Sequence, residues 1–96
     1  MITMRVKLFG FLAHWSEEEL VVSVEAGATV ADLLYLVAAQ LGPEFQQALL
    51  DRNGNLHGGL EIMLNQQQIS ARRISDIPVW EDGKLAIMPL VGGGHI

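Results

Sequence analysis

Residues 20–41 read LVVSVEAGATVADLLYLVAAQL, and the fold turns on the change of rhythm inside them. Leu20 to Glu25 is rich in β-branched residues and alternates between two faces, the period of a half-buried strand. Ala26-Gly27-Ala28 is a loop. Thr29 then stands three residues before Asp32, the spacing of a capping box with Asp in place of the preferred Glu. From Val30 the apolar period lengthens. Val30, Leu33, Leu34, Val37 and Leu41 fall at i, i+3, i+4, i+7 and i+11, the core stripe of an amphipathic helix. Gly42-Pro43 is expected to end it.

On the N-terminal side, residues 4–9 read MRVKLF. Met4, Val6 and Leu8 alternate with Arg5, Lys7 and Phe9, so this is a strand with one buried face. Phe9 is the odd member of its polar side. Gly10 to Ser16 breaks the pattern and Glu17-Glu18-Glu19 forms a charged turn edge. The first two strands are close in sequence and are expected to pair as an antiparallel hairpin.

On the C-terminal side, Glu44 to Leu50 is a short helical or turn segment, and Asp51-Arg52-Asn53-Gly54-Asn55 is a turn cluster. Leu60, Ile62 and Leu64 alternate with Glu61 and Met63 as a third strand. Asn65-Gln66-Gln67 is a tight turn, with Gln68-Ile69-Ser70 as a short fourth strand. Ile74, Ile77 and Val79 line an irregular crossover through Pro78. Glu81-Asp82-Gly83-Lys84 turns into the last strand, Leu85 to Met88. The order is ββαβ(β)β, an α+β layer pair of β-grasp (ubiquitin-like) type, with a mixed sheet and one main crossover helix on one face. The last strand is expected beside the first, in the middle of the sheet, so that it launches the tail from a rigid element.

The chain has 96 residues, half of them apolar, which suits a single domain over residues 1–91 followed by a flexible glycine tail at 92–96. Its net charge of −5 repels phosphate backbones, so neither a nucleic acid nor an anionic membrane is an expected partner. There is no cysteine, which excludes a disulfide framework, a thiolate metal site and a cysteine nucleophile. The first residues lack a signal-peptide pattern, and no apolar run approaches the roughly 18 residues of a membrane span. A cytoplasmic protein is expected.

Ile87 to Ile96 reads IMPLVGGGHI. One reading of this run is a frayed end. The other is an arm that carries a C-terminal glycine carboxylate into a narrow enzyme cleft. Glycine has no side chain to clash there, and Pro89 fixes the direction of entry. A phosphate-binding reading of Gly92-Gly93-Gly94 fails, because no helix and no Gly-Lys-Ser/Thr follows. Gly58-Gly59, preceded by His57, is a loop. Asp51 to Asn55 resembles the start of a calcium loop, but Leu56 and Ile62 occupy the positions that need Gly and Glu. His14, His57 and His95 lie far apart without ligand spacing, so no metal site is expected. Nothing in the chain looks like a catalytic centre.

Phe9, Met63 and Met88 are apolar on the outer faces of their strands. They are either isolated exposed residues or one contiguous partner patch. Phe11, Leu12 and Trp15 either extend that patch or cap the end of the core. Glu17 to Glu19 and the Arg72-Arg73 pair are expected to be solvated.

Across residues 4–94 the chain resembles the MoaD/ThiS family of sulfur-carrier proteins. Met4 to Phe9 is similar to the family's opening strand, and Thr29-Val30-Ala31-Asp32-Leu33-Leu34 to its helix start. Leu60 to Asn65 resembles its V-x-V-N-x strand and turn. Asp82-Gly83-Lys84-Leu85-Ala86-Ile87 resembles the run before the tail, and Pro89-Leu90-Val91-Gly92-Gly93-Gly94 the terminal P-P-V-A-G-G. The loops at residues 10–19 and 51–59 look more like the MoaD type, and like the archaeal-type modifiers near it, than the shorter ThiS type.

That resemblance implies a carrier with no catalytic residue and no permanently bound cofactor. An E1-like enzyme uses ATP to adenylate the terminal glycine, and a sulfur donor then converts it to a thiocarboxylate. In MoaD-type members the sulfur passes to a pterin in the large subunit of molybdopterin synthase. Pro89, Leu90 and Val91 would join Phe9, Met63 and Met88 in partner binding. The family's terminal glycine aligns with Gly94, behind Gly92 and Gly93. His95 and Ile96 follow it, so the resemblance implies trimming by a JAMM-type metalloprotease before activation. A carrier for cysteine or thiamin-type biosynthesis, a ubiquitin-like protein modifier, and an interaction module with an idle tail remain open.

Overall fold

A computed structural model describes residues 1–90. Val91, the three glycines, His95 and Ile96 lie outside the described residues, and with them the expectations for the reactive glycine. Strand β1 (Ile2–Leu8) and β2 (Leu20–Val24) form the expected antiparallel hairpin, from Ile2 opposite Val24 to Val6 opposite Leu20. Helix α1 (Val30–Leu41) and helix α2 (Pro43–Leu49) follow, then β3 (Leu60–Leu64), β4 (Gln67–Ile69) and β5 (Gly83–Pro89). The sheet order is β2-β1-β5-β3-β4, with β5 central as the sequence led us to expect. It runs parallel to β1, with Met4 opposite Gly83 and Leu8 opposite Ile87, and antiparallel to β3.

The capping box at the start of α1 is complete. The Asp32 N–H donates to Thr29 Oγ1 (3.2 Å), and the Thr29 N–H donates to Asp32 Oδ2 (2.9 Å). Val30, Leu33, Leu34 and Val37 are buried as the spacing predicts, joined by Ala31 and Ala38. Leu41, expected in the same stripe, is only partly buried at the end of the helix.

Gly42-Pro43 ends α1 but does not end helix. Proline lacks only an N–H that the first turn leaves unpaired in any case, and its φ suits that position, so Pro43 opens α2. The expected single main helix is therefore followed directly by a second. Phe45 from α2 is fully buried and meets Trp15 edge-on, with ring centroids 5.4 Å apart.

The inner faces of β1, β3 and β5 place Met4, Val6, Leu8, Ile62, Leu64, Leu85 and Ile87 against the two helices. The β3–β4 turn is tighter than the sequence suggests. It uses Asn65 and Gln66 alone, both at positive φ (49° and 72°), as a two-residue hairpin turn demands. Strand β4 consequently starts at Gln67, one residue earlier than expected.

The central ladder needs a glycine at one end. A Cβ on Gly83 would stand 2.7 Å from Met4 Sδ and 3.0 Å from the Trp80 carbonyl oxygen. Met4 is fully buried and has little room to retreat. Gly83→Ala is therefore expected to lower stability by about 1–3 kcal/mol through overpacking, read as an earlier midpoint in urea denaturation.

Candidate functional site

The period of two that buries one face of β1, β3 and β5 turns the other face outward. On that face the register sets Lys7 beside Ala86 and Ala86 beside Met63, with Glu61 beside Met88 in the next row. Phe9 lies one residue past the end of β1 rather than within it. Its N–H still donates to the Ile87 carbonyl oxygen (2.9 Å), which continues the ladder and holds Phe9 next to Met88.

Phe9, Met63 and Met88 thus share one shallow groove of ≈ 560 Å³, floored by Ala86 and edged by Lys7, Lys84, Asn65 and Gln66. The three side chains are therefore contiguous rather than isolated. Phe9 is 43% exposed, while Met63, Ala86 and Met88 are half-buried. An apolar floor with a polar rim is the anatomy of a docking surface rather than of a closed ligand pocket.

The groove's rim is locally basic in an acidic chain. Arg5, Lys7 and Lys84 are half of the chain's six cationic side chains and all stand on the outer faces of β1 and β5. The acidic run before β2 folds over them. Glu19 sits 3.1 Å from Lys84 Nζ and 3.6 Å from an Arg5 guanidinium nitrogen, and Lys7 Nζ donates to the Glu17 carbonyl oxygen. The expectation that Glu17 to Glu19 is free solvated surface therefore fails at Glu19, which crosses the sheet edge to reach strands β1 and β5.

The second part of the site is the root of the C-terminal arm. Pro89 closes β5 opposite Leu60, and the Leu90 N–H donates to the Gly59 carbonyl oxygen (2.8 Å). Leu90 is 53% exposed and Phe11 57%, whereas Leu12 is fully buried and Trp15 packs on the core. The loop residues thus divide: Phe11 opens to solvent, while Leu12 and Trp15 cap the core end. Among the described residues, no three His, Asp or Glu side chains stand close enough together to hold a metal ion. No helix among them is long and apolar enough to cross a membrane.

Alternation along the strands singled out Phe9, Met63 and Met88, which the structure brings into one groove, and position before the glycines singled out Pro89 and Leu90, which lie at the root of the arm. Sequence reasoning missed Lys7, Lys84, Ala86 and Glu19. Only the parallel β1–β5 register brings these side chains together.

The ThiS family's sequence model matches residues 6–94. Comparison with curated proteins gives no match. The crystal structure of SAMP1 from Haloferax volcanii superposes with a TM-score of 0.79 at 25% identity, covering 96% of this chain and 99% of that one. A putative molybdopterin converting factor, subunit 1, from Pyrococcus furiosus is similar at a TM-score of 0.74 and 17% identity, covering 95% and 100%. Urm1 from Trypanosoma brucei is similar at 0.75 and 15%, covering 96% and 95%. The last two likenesses are those of fold.

Exposed ion pairs contribute little to stability. Glu19→Ala is expected to shift the urea midpoint by less than about 1 kcal/mol in stability while making the outer face of the sheet more basic.

Proposed function

The chain belongs to the ThiS family of ubiquitin-like, β-grasp sulfur carriers, and from that membership we propose a specific role. Its C-terminal glycine carboxylate, that of Gly94, is adenylated and then converted to a thiocarboxylate. One observation carries this reading. Central strand β5 leads straight into the glycine run, and the family match ends at Gly94 with His95 and Ile96 beyond it.

The chemistry follows from the group. A carboxylate is a poor electrophile. When its oxygen attacks the α-phosphorus of ATP and pyrophosphate leaves, the carboxyl carbon gains AMP as a leaving group. A donor that delivers sulfur at the sulfide level, as hydrosulfide, then attacks the carboxyl carbon; AMP leaves, the sulfur loses its proton to solvent, and the thiocarboxylate remains. The carrier supplies an unbranched end and a docking face, and the E1-like enzyme supplies ATP and the catalytic groups. Glycine suits a narrow cleft because it has no Cβ. Ile96 is β-branched and stiff, so a JAMM-type protease that cuts between Gly94 and His95 precedes activation in this reading. The groove of Phe9, Met63 and Met88 is the proposed docking face, and Pro89, Leu90 and Val91 are the further residues proposed to contact the partner.

The proposed acceptor is the large subunit of molybdopterin synthase, in the cytoplasm, supported by the MoaD-like lengths of the loops at residues 10–19 and 51–59. A second reading, a ubiquitin-like modifier joined to lysines, draws on the match to a small archaeal modifier protein at 25% identity. It uses the same activated carboxyl and differs in the nucleophile that receives it.

Incubation with an E1-like enzyme and ATP tests the proposal. The chain ending at Gly94 is expected to release pyrophosphate and form an acyl-adenylate, and the chain ending at Ile96 to do neither. Met88→Glu in the shorter form is expected to raise KM about ten-fold by placing a charge on the docking face. Adenylation of the chain ending at Ile96 would contradict the trimming step, and an inert Gly94 end would contradict the carrier reading.

A further inference from the structure

Two segments far apart in sequence converge on the root of the C-terminal arm. The first is the turn after β1. Gly10 has φ +63°, a left-handed conformation that side chains rarely adopt, and a Cβ there would lie 2.6 Å from Pro89 Cγ and 2.8 Å from Pro89 Cδ. The Pro89 ring therefore rests directly on a backbone that only glycine leaves open. Beside it, the Phe9 N–H holds the Ile87 carbonyl oxygen at 2.9 Å.

The second segment is the loop before β3. The Gly59 carbonyl oxygen accepts from the Leu90 N–H at 2.8 Å. That loop is itself tied down. The Gly59 N–H donates to His57 Nδ1 (3.2 Å), and the His57 N–H donates to the Leu49 carbonyl oxygen at the end of α2 (2.8 Å). A chain of hydrogen bonds thus runs from α2 through His57 and Gly59 to Leu90.

We infer that Gly10 and the His57–Gly59 loop form a two-jawed clamp that fixes the arm as far as Leu90, with Gly10 as a positioning residue for the terminal carboxyl. The inference rests on the carrier reading above. An arm that enters an enzyme cleft has to be ordered there, and ordering one residue's backbone weighs about ten-fold in an equilibrium constant. The clamp orders Pro89 and Leu90 in the free protein. From Leu90 the terminal carboxyl of Gly94 is four residues away, a reach of at most about 14 Å. The clamp also ties the arm's root to the groove, because Phe9 lines the groove and its neighbour Gly10 seats Pro89.

The test joins amide hydrogen exchange on the full chain to adenylation kinetics on the chain ending at Gly94. In the wild type the Leu90 amide is expected to exchange at least about ten-fold more slowly than an open amide, reflecting its bond to Gly59. Gly10→Ala is expected to remove that protection and lower kcat/KM about ten-fold, while the Leu85 amide in the middle of β5 stays protected. Because the clash is with Cγ and Cδ of the proline ring, Gly10→Ala combined with Pro89→Ala is expected to regain part of the Leu90 protection, with the strain of an alanine at φ +63° keeping it below the wild type. A merely destabilised fold would not give that rescue.

An unprotected Leu90 in the wild type overturns the clamp. So does full activity in Gly10→Ala, and so does a double variant whose Leu90 amide is as open as in Gly10→Ala alone. Failure of the wild type to be adenylated overturns the carrier reading and the positioning role together, whereas Leu90 exchange reports on the clamp without any enzyme.

Discussion

The parallel ladder between β1 and β5 is the constraint on which the rest depends. It joins two strands from opposite ends of the chain, and a glycine closes it at each end. Gly83 leaves room for Met4 where the ladder begins, and Gly10 leaves room for Pro89 where it finishes. Parallel pairing of this kind needs a long connection, here the β2 hairpin, both helices and the β3–β4 hairpin. Of these, the two helices cover one face of the sheet, and among the described residues no α-helix covers the other. Burial of Val6, Leu8, Leu85 and Ile87 under α1 and α2 stabilises the ladder through the hydrophobic effect.

The same alternation that builds the core builds the site. Along β5, Leu85 and Ile87 point inward while Ala86 and Met88 point to the groove. The strand then runs on through Pro89 into the arm. Core, groove and the root of the arm are consecutive readings of one strand. A change that shifted β5 by one residue would exchange the core and groove side chains and move the root of the arm at the same time. The basic rim adds a second layer. Glu19 already partners Arg5 and Lys84 within the chain, so an acidic partner approaching this face competes with an internal carboxylate.

Much of this was legible in the sequence, and the residues explain which part. The capping box at Thr29 and Asp32 and the spacing from Val30 to Val37 are local signals, and both held. The outward positions of Met63 and Met88 follow from alternation alone. What failed involved meanings that position decides. Pro43 reads equally as a helix stop or a helix start, and the burial of Phe45 and Leu49 in the core is what favours the start. Gln66 gives no sign in the sequence of its left-handed conformation, which is why β4 starts one residue earlier than the pattern suggests. Glu19 looked like solvent-facing charge because its partners, Arg5 and Lys84, lie on strands whose neighbourhood is a property of topology. The meeting of Gly10 and Gly59 at Pro89 and Leu90 is likewise non-local, and no periodicity announces it.

The central claim is that this β-grasp domain exists to present one activated carboxyl carbon, that of Gly94. Intact-mass measurement of the protein isolated from its own cells tests it most directly. The account predicts a species ending at Gly94 in which one oxygen has been exchanged for sulfur, and its return to the unmodified mass after hydrolysis. A population ending only at Ile96, with neither the sulfur form nor an isopeptide adduct, would contradict it.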